Sequence, residues 1–461
     1  MSTNHSQIIV IMVPFLAQGH LNQLLHLSRL ISAYNVPVHY VGTTVHNRQA
    51  RNRIQGCDPK SVSNIYFHEF HPPCFASPPP KPNSPLSHLQ PCFDTTKHLR
   101  NPFATLLKNF SSVAKRVVVI HDSLMSSVVQ DVASVRNAEA YVFHSVSAFT
   151  VFLHLWEEMG RPFPINVDML KDVPSLEGCF TAEFKKFISN EYKCMKFDSG
   201  RIYNTCKFIE APFLDLLARQ EISKEMEQWA LGPFNPVVLS QTKCHNRPKC
   251  LKWLDKQAPN SVIFVSFGTT TSLTEDQIQE LAIGLDKSNQ KFIWVLRDAD
   301  KGDIFADDDP MFSKSDMLPK GYEEKIKEKG MIVRDWAPQL EILGHSSTAG
   351  FMSHCGWNSI MESITMGVPI LAWPMHSDQP RNTVLLTKFL KIGLVVKDWG
   401  LRNELVSAET IENAIQKLMN SEEGSEIRER AAKMGDDIRK SVADRGNSCL
   451  ELDTFVAHIS R

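Results

Sequence analysis

Apolar runs of four to six residues alternate along the chain with segments whose apolar residues recur every three or four positions. Runs without polar alternation are strands buried on both faces, and the segments between them are the crossover helices that cover those faces. The spacing predicts strands near 8–13, 36–41, 64–68, 117–121 and 139–143 in the first half. A helix is predicted from about His20, where Leu21, Leu24, Leu25 and Leu30 form one apolar face. Between the third and fourth strands, Pro72 to Pro91 holds eight prolines in twenty residues, which excludes regular structure and predicts a surface loop beside a cleft.

The rhythm restarts at Ser261 with VIFVSF and continues through KFIWVL (291–296), MIV (331–333), GFM (350–352), VPILAW (368–373) and GLVV (393–396). Two separate series predict two parallel sheets, an α/β protein of two doubly wound domains. The polar, aperiodic stretch QTKCHNRPKCLK at 241–252 reads as the linker, which places the domains at 1–244 and 245–439. Helical segments at 407–419, 423–440 and 448–460 end the chain without strands between them, and the last of it, 440–461, is expected to pack back on the first domain.

Composition narrows the function. The 461 residues carry 50 Lys+Arg against 51 Asp+Glu, a formal net charge of -1, which leaves no field for holding nucleic acid. The longest uncharged apolar stretch, Ala140 to Trp156, is shorter than the ~20 residues of a membrane span and reads as a strand running into a helix. No cleavable signal precedes Ile8, and the ten cysteines form no C-x-x-C pair, so free thiols and a cytoplasmic location are expected. The N-x-S/T triplets at Asn4 and Asn109 are then chance matches.

The chain lacks G-x-G-x-x-G after its first strand, G-x-x-x-x-G-K-[ST], H-E-x-x-H and G-x-S-x-G, which removes the simplest dehydrogenase, P-loop, zincin and serine hydrolase readings. The triplet Asp298-Ala299-Asp300 opens an acidic stretch that reads as a solvated loop rather than a cation site. His345, His354, Cys355 and His376 match no zinc-ligand spacing, so no metal is expected. More informative is SSTAGFMSHCGWNS at 346–359, a short strand entering a helix. A helix N-terminus offers free N–H groups and a positive dipole end to a diphosphate, and Asn358 and Ser359 would either add donors or simply cap the helix.

The 44 residues from Trp336 to Gln379, WAPQLEILGHSSTAGFMSHCGWNSIMESITMGVPILAWPMHSDQ, closely resemble the signature box of plant UDP-sugar glycosyltransferases. That resemblance implies the GT-B architecture, two facing Rossmann-like domains with a cleft between them. It also implies donor-site roles at matching positions. Trp336 would stack on uracil with Ala337 and Gln339 beside it, and Glu362 would accept from the ribose hydroxyls. His354, Gly356, Asn358 and Ser359 would meet the diphosphate, while Trp357, Asp378 and Gln379 would read the sugar, the terminal Gln379 pointing to UDP-glucose. In VSFGTTTSL, Gly268 would allow close backbone approach and either Thr269 or Thr271 would offer a hydroxyl; His376 receives no role. PFLAQGHLNQ puts the family's catalytic histidine at His20, and VVVIHDSLMSS puts its aspartate at Asp122, with His121 on the other face of the strand.

Within that family, GHLNQLLHLSRLI, RVVVIHDSLM, WALGPFNP and ESITMGVPI are most like the cytokinin-directed branch. The resemblance implies an inverting transfer of glucose from UDP-glucose to a small acceptor such as the zeatin side-chain hydroxyl, by a monomer without metal or other cofactor. A flavonoid or other plant phenol or alcohol is the alternative acceptor, and xylose the alternative sugar. A silent binding protein is the rival outside enzymology; a broken dyad would mark it, and both His20 and Asp122 are present.

Overall fold

The computed structural model describes residues 8–53, 62–73, 75, 86–165, 171, 173–239, 247–270, 273–296 and 317–461. Cys57, Thr271, Asp298, Asp300 and most of the proline-rich stretch lie outside the described residues.

In the first half, β1 (Ile8–Val13), β2 (Val38–Thr43), β3 (Ile65–Phe70), β4 (Arg116–Asp122), β5 (Ala138–His144), β6 (Gly200–Tyr203) and β7 (Glu227–Ala230) form one sheet in the order β3-β2-β1-β4-β5-β6-β7. The second half adds β8 (Val262–Ser266), β9 (Lys291–Val295), β10 (Gly330–Val333), β11 (Thr348–Ser353), β12 (Ile370–Ala372) and β13 (Gly393–Val395) in the order β10-β9-β8-β11-β12-β13. Every recorded pairing is parallel. All six residues of β1, IIVIMV, are buried, as a strand covered on both faces requires. The sequence pattern missed β6 and β7, whose four-residue stretches GRIY and EQWA are too short and too polar to stand out.

Both sheets reverse their winding at an inner pair of strands, β1/β4 in the first and β8/β11 in the second. At such a point the crossovers on either side diverge, which leaves a crevice beyond the carboxyl ends of the strands. The helix Gln18–Ser32 starts from β1 in the first crevice, and the helix Trp357–Met366 starts from β11 in the second.

The helices Ala408–Asn420 and Glu422–Val442 stay with the second half. Ile411, Ile415 and Leu418 join the core of Ile263 and Trp294, and Ala431 and Ile438 pack with Ile360 and Ile364. The final helix, Asn447–Ile459, puts Leu452, Phe455, Val456 and Ile459 into the core of Val10, Tyr141 and Trp229 in the first half. Among the described residues no helix is long and apolar enough to cross a membrane.

Candidate active site

One cavity of about 1010 Å³ is lined by both crevices. Its first-half wall begins with His20, in the first turn of the helix that follows β1. Asp122, the last residue of β4, faces it across the reversal point, and His20 Nδ1 lies 2.7 Å from Asp122 Oδ2. The carboxylate is fully buried, whereas the imidazole keeps 23% exposure toward the cavity. Asp122 Oδ1 also accepts from Leu124 N at 2.9 Å, so one carboxylate caps the short turn Ser123–Met125 and orients the histidine. An ionised carboxylate only accepts, so in the neutral-imidazole tautomer that matches this contact the proton sits on Nδ1 and Nε2 presents a lone pair. His121 points to the other face, where its Nε2 pairs with Asp198 Oδ1 at 2.9 Å.

The second-half wall is built differently. His354 follows β11 and is buried, and burial holds its imidazole down to about 4, so it is neutral at physiological pH. Two glycines make room for the ring. A Cβ on Gly268, whose φ is +77, would meet His354 Cε1 and Nε2 at 2.7 Å, and one on Gly356 would meet Nε2 at 2.5 Å. Cys355 is a buried packing residue with φ +64, and this turn aims the next helix at the cavity. The residue that caps that helix is Gly356, with no side-chain cap hydrogen bond, so Asn358 and Ser359 fall inside its first turn instead of capping it. The first-turn N–H groups and the positive dipole end are thus left for a ligand.

Glu362, one turn further on, is buried and gathers two amides. Asn358 Nδ2 donates to Oε1 at 3.0 Å, and Gln339 Nε2 donates to Oε2 at 2.6 Å and to Ser359 Oγ at 2.9 Å. Burial nevertheless pushes the Glu362 carboxyl up to about 7, against the pull of those amides. Trp336 and Ala337 line the same end, with the Arg53 guanidinium 4.6 Å from the Trp336 ring centre. Trp357 lines the cavity too, but its indole N–H donates to Asn204 O in the first half at 2.9 Å, which leaves its ring as what it offers a ligand.

Also in the second-half wall, Gln379 Oε1 accepts from Met375 N at 2.8 Å and His376 N at 3.0 Å. Asp378 beside it accepts from Asn382 Nδ2 at 2.7 Å, and burial pushes its carboxyl up to about 6. Thr269 and Thr270 line the wall from the loop after β8.

The cavity therefore brings together every described residue to which the resemblance gives a donor-site or catalytic role, from His20 to Gln379, apart from Asp122 just behind His20; His121, His345 and Cys355 are not among its lining residues. Sequence reasoning gives His376 no role, and the structure puts it in the cavity wall, bridging Ser377 Oγ at 2.8 Å and Thr270 Oγ1 at 3.3 Å; Asn382, which supports Asp378, was not singled out. Their adjacency to the Asp378-Gln379 pair was the available signal. The first-half wall also carries Phe15, Phe93, Phe180 and Phe184, with His154, Glu158 and Tyr192 as polar members. Among the described residues no cluster of His, Cys, Asp and Glu has the geometry to hold a metal ion.

Residues 6–236 match the family described as Glycosyltransferase, N-terminal domain, and residues 223–433 match UDP-glucoronosyl and UDP-glucosyl transferase. A zeatin O-glucosyltransferase of Phaseolus lunatus is 55% identical over 460 residues, covering 99% of this chain and 98% of the relative. A zeatin O-xylosyltransferase of Phaseolus vulgaris is 52% identical and covers 99% of each. Among solved structures, Phytolacca americana UGT2 complexed with UDP-2fluoro-glucose and pterostilbene superposes with a TM-score of 0.76 at 25% identity, over 99% of this chain and 100% of that one. Medicago truncatula UGT71G1 complexed with UDP-glucose shares the fold, with a TM-score of 0.77 at 24% identity over 100% of both chains. With likeness of this degree along its full length, the chain belongs to the UDP-glucosyl and UDP-glucuronosyl transferase family, to whose plant members its 336–379 box already pointed.

Proposed function

We propose that the chain transfers glucose from UDP-glucose, with inversion, to the side-chain hydroxyl of zeatin. The observation that carries this reading is the 2.7 Å His20–Asp122 contact, which opens on the same cavity as the uncapped N-terminus at Gly356. An aliphatic hydroxyl does not ionise near neutrality, so its oxygen needs a base that takes the proton as the bond forms. His20 Nε2 takes that proton while the oxygen attacks the anomeric carbon. The bond from that carbon to the diphosphate oxygen breaks, and its electron pair leaves with UDP. Asp122 holds the tautomer and stabilises the imidazolium.

The charge growing on UDP meets the N–H groups at Gly356 to Ser359 and the hydroxyl of Thr269 or Thr271, with the neutral His354 ring in contact. This cradle supplies the stabilisation that a divalent cation gives in other transferases, so the reading includes no metal. Trp336, Ala337 and Gln339 take the uracil end, Glu362 the ribose, and Trp357, Asp378 and Gln379 the sugar. The part of the chain up to residue 244 holds the acceptor and residues 245–439 the donor. A single chain supplies both walls, so the reading needs no second subunit, and its place is the cytoplasm.

The test is an assay of UDP-glucose with zeatin and a panel of flavonoids, read by mass spectrometry. Formation of zeatin O-glucoside as the fastest product supports the reading, and rapid consumption of flavonoids with zeatin untouched replaces the acceptor. The likeness to an O-xylosyltransferase favours one second reading, a pentose donor. Competition between equal concentrations of UDP-glucose and UDP-xylose decides between them.

A further inference from the structure

The two halves meet along a seam between the helix Ala148–Glu158 of the first and the helix Gln379–Val384 of the second. Asn382 lies in that seam with no exposed surface. Both ends of its amide are engaged. Nδ2 donates to Asp378 Oδ2 at 2.7 Å and to Cys355 O at 3.0 Å, while Oδ1 accepts from Ser147 Oγ at 2.8 Å. One side chain thus joins a cavity carboxylate, the turn before the Gly356 helix, and a hydroxyl of the opposite half.

The partners on the far side are themselves held. Ser147 caps its helix by accepting from Thr150 N at 3.1 Å. The fully buried Glu210 takes the N–H groups of Ala148 and Phe149 at 3.1 and 2.8 Å. Farther along the seam, Arg381 donates to both oxygens of Glu157, at 3.1 and 2.8 Å. A buried amide with both ends matched is costly to disturb, because any displacement strands a donor or an acceptor away from water.

We infer that Asn382 is a positioning residue that holds the Asp378 carboxylate in register with the donor sugar and ties it to Ser147, so that the sugar is gripped only while the two halves are docked along this seam. The inference rests on the reading of Asp378 as a sugar-facing group. UDP alone lacks the sugar, which separates this role from a merely structural one.

The experiment compares KM for UDP-glucose with the Kd of UDP in four variants of the full chain. Asp378→Asn tests the underlying reading and should raise KM for UDP-glucose at least tenfold. Asn382→Ala should do the same, with the Kd of UDP within twofold of the parent. Ser147→Ala removes the shorter of the two hydrogen bonds that Asn382 Oδ1 accepts from the opposite half, leaving the one from Thr150 Oγ1 at 3.5 Å, and removes one cap, and should raise KM about threefold; Ser147→Thr keeps the hydroxyl and should restore it. An unchanged Asp378→Asn enzyme removes the reading of Asp378 and the inference with it. An impaired Asp378→Asn enzyme beside an Asn382→Ala enzyme of parental KM, or one that loses UDP and UDP-glucose affinity equally, overturns the inference alone. If Asn382→Ala fails to fold, the Ser147 pair decides: a Ser147→Ala enzyme with parental KM, or one that Ser147→Thr does not resemble less than the parent, overturns it.

Discussion

The two reversal points share one topology and carry opposite chemistry. At β1/β4 a histidine with partial exposure faces a buried carboxylate, so the pair is equipped to accept and hold a proton. At β8/β11 the histidine is packed between two glycines and kept neutral by burial, and what faces the cavity is backbone N–H at an uncapped helix. The backbone decides where a ligand sits, and local packing decides whether that place moves protons or stabilises charge. Proton transfer requires a group that changes state during turnover. Diphosphate stabilisation is served best by donors that do not.

The sharpest way to break this contrast is to remove the base. His20→Ala should lower kcat by ~10²–10⁴-fold while the Kd of UDP stays within twofold, since the proposed reading puts the base on one wall and the nucleotide on the other. Asp122→Asn should also lower kcat, and the double variant should be little worse than His20→Ala, because groups acting as a unit are not additive. Multiplicative losses, read by steady-state kinetics, would leave Asp122 only its turn-capping role.

The converse perturbation acts on the second wall. Gly356→Ala would drive a Cβ against the His354 ring, overpacking that costs ~1–3 kcal/mol of stability, and the turn that gives way should weaken UDP binding as read by calorimetry. UDP affinity at the parental level would show that the ring yields and that the glycine is not required for the cradle.

A pH titration separates the walls more finely. The Glu362 carboxyl, raised to about 7 by burial, is largely protonated in the free protein at pH 6. Ribose hydroxyls donate best to the ionised form, so UDP affinity should rise between pH 6 and 8, by up to about tenfold, and Glu362→Gln should abolish the rise. The same shift has a stability sign. A carboxyl raised above its unfolded value of 4.5 binds its proton more tightly when folded, so the ligand-free protein should lose stability as pH climbs from about 4.5 to 7 and no further on this account. A flat UDP affinity between pH 6 and 8 would remove Glu362 from the proposed ribose site.

The smallest expected effect is at Gln379, whose carbonyl pins the main chain of Met375 and His376. Gln379→Ala should lower kcat/KM for UDP-glucose about tenfold or less and narrow the preference over UDP-galactose, with UDP affinity retained. An unchanged sugar preference in competition assays would limit Gln379 to shaping its loop.

Much of this was legible in the order of residues. The strands that span both faces of a sheet leave uninterrupted apolar runs, so eleven of the strands could be placed from β1 to β13, while GRIY and EQWA gave too little pattern. The 336–379 box and the Q-G-H and H-D-S segments singled out residues that line the cavity or back it, because each is a short stretch at a strand end, where the sheet places its loops. Tertiary structure alone decided the rest. That Asp122 both caps a turn and holds His20 requires β1 and β4 to be neighbours despite the 102 residues between the two side chains. That Gly268 and Gly356 clear space for one imidazole requires two loops from different strands to meet. The ties of Asn382 to Ser147 and of Trp357 to Asn204 join residues of opposite halves. Local propensity and periodicity act over a few residues, whereas burial and a matched hydrogen bond depend on which distant surfaces pack together, and that information exists only once both sheets have formed and docked.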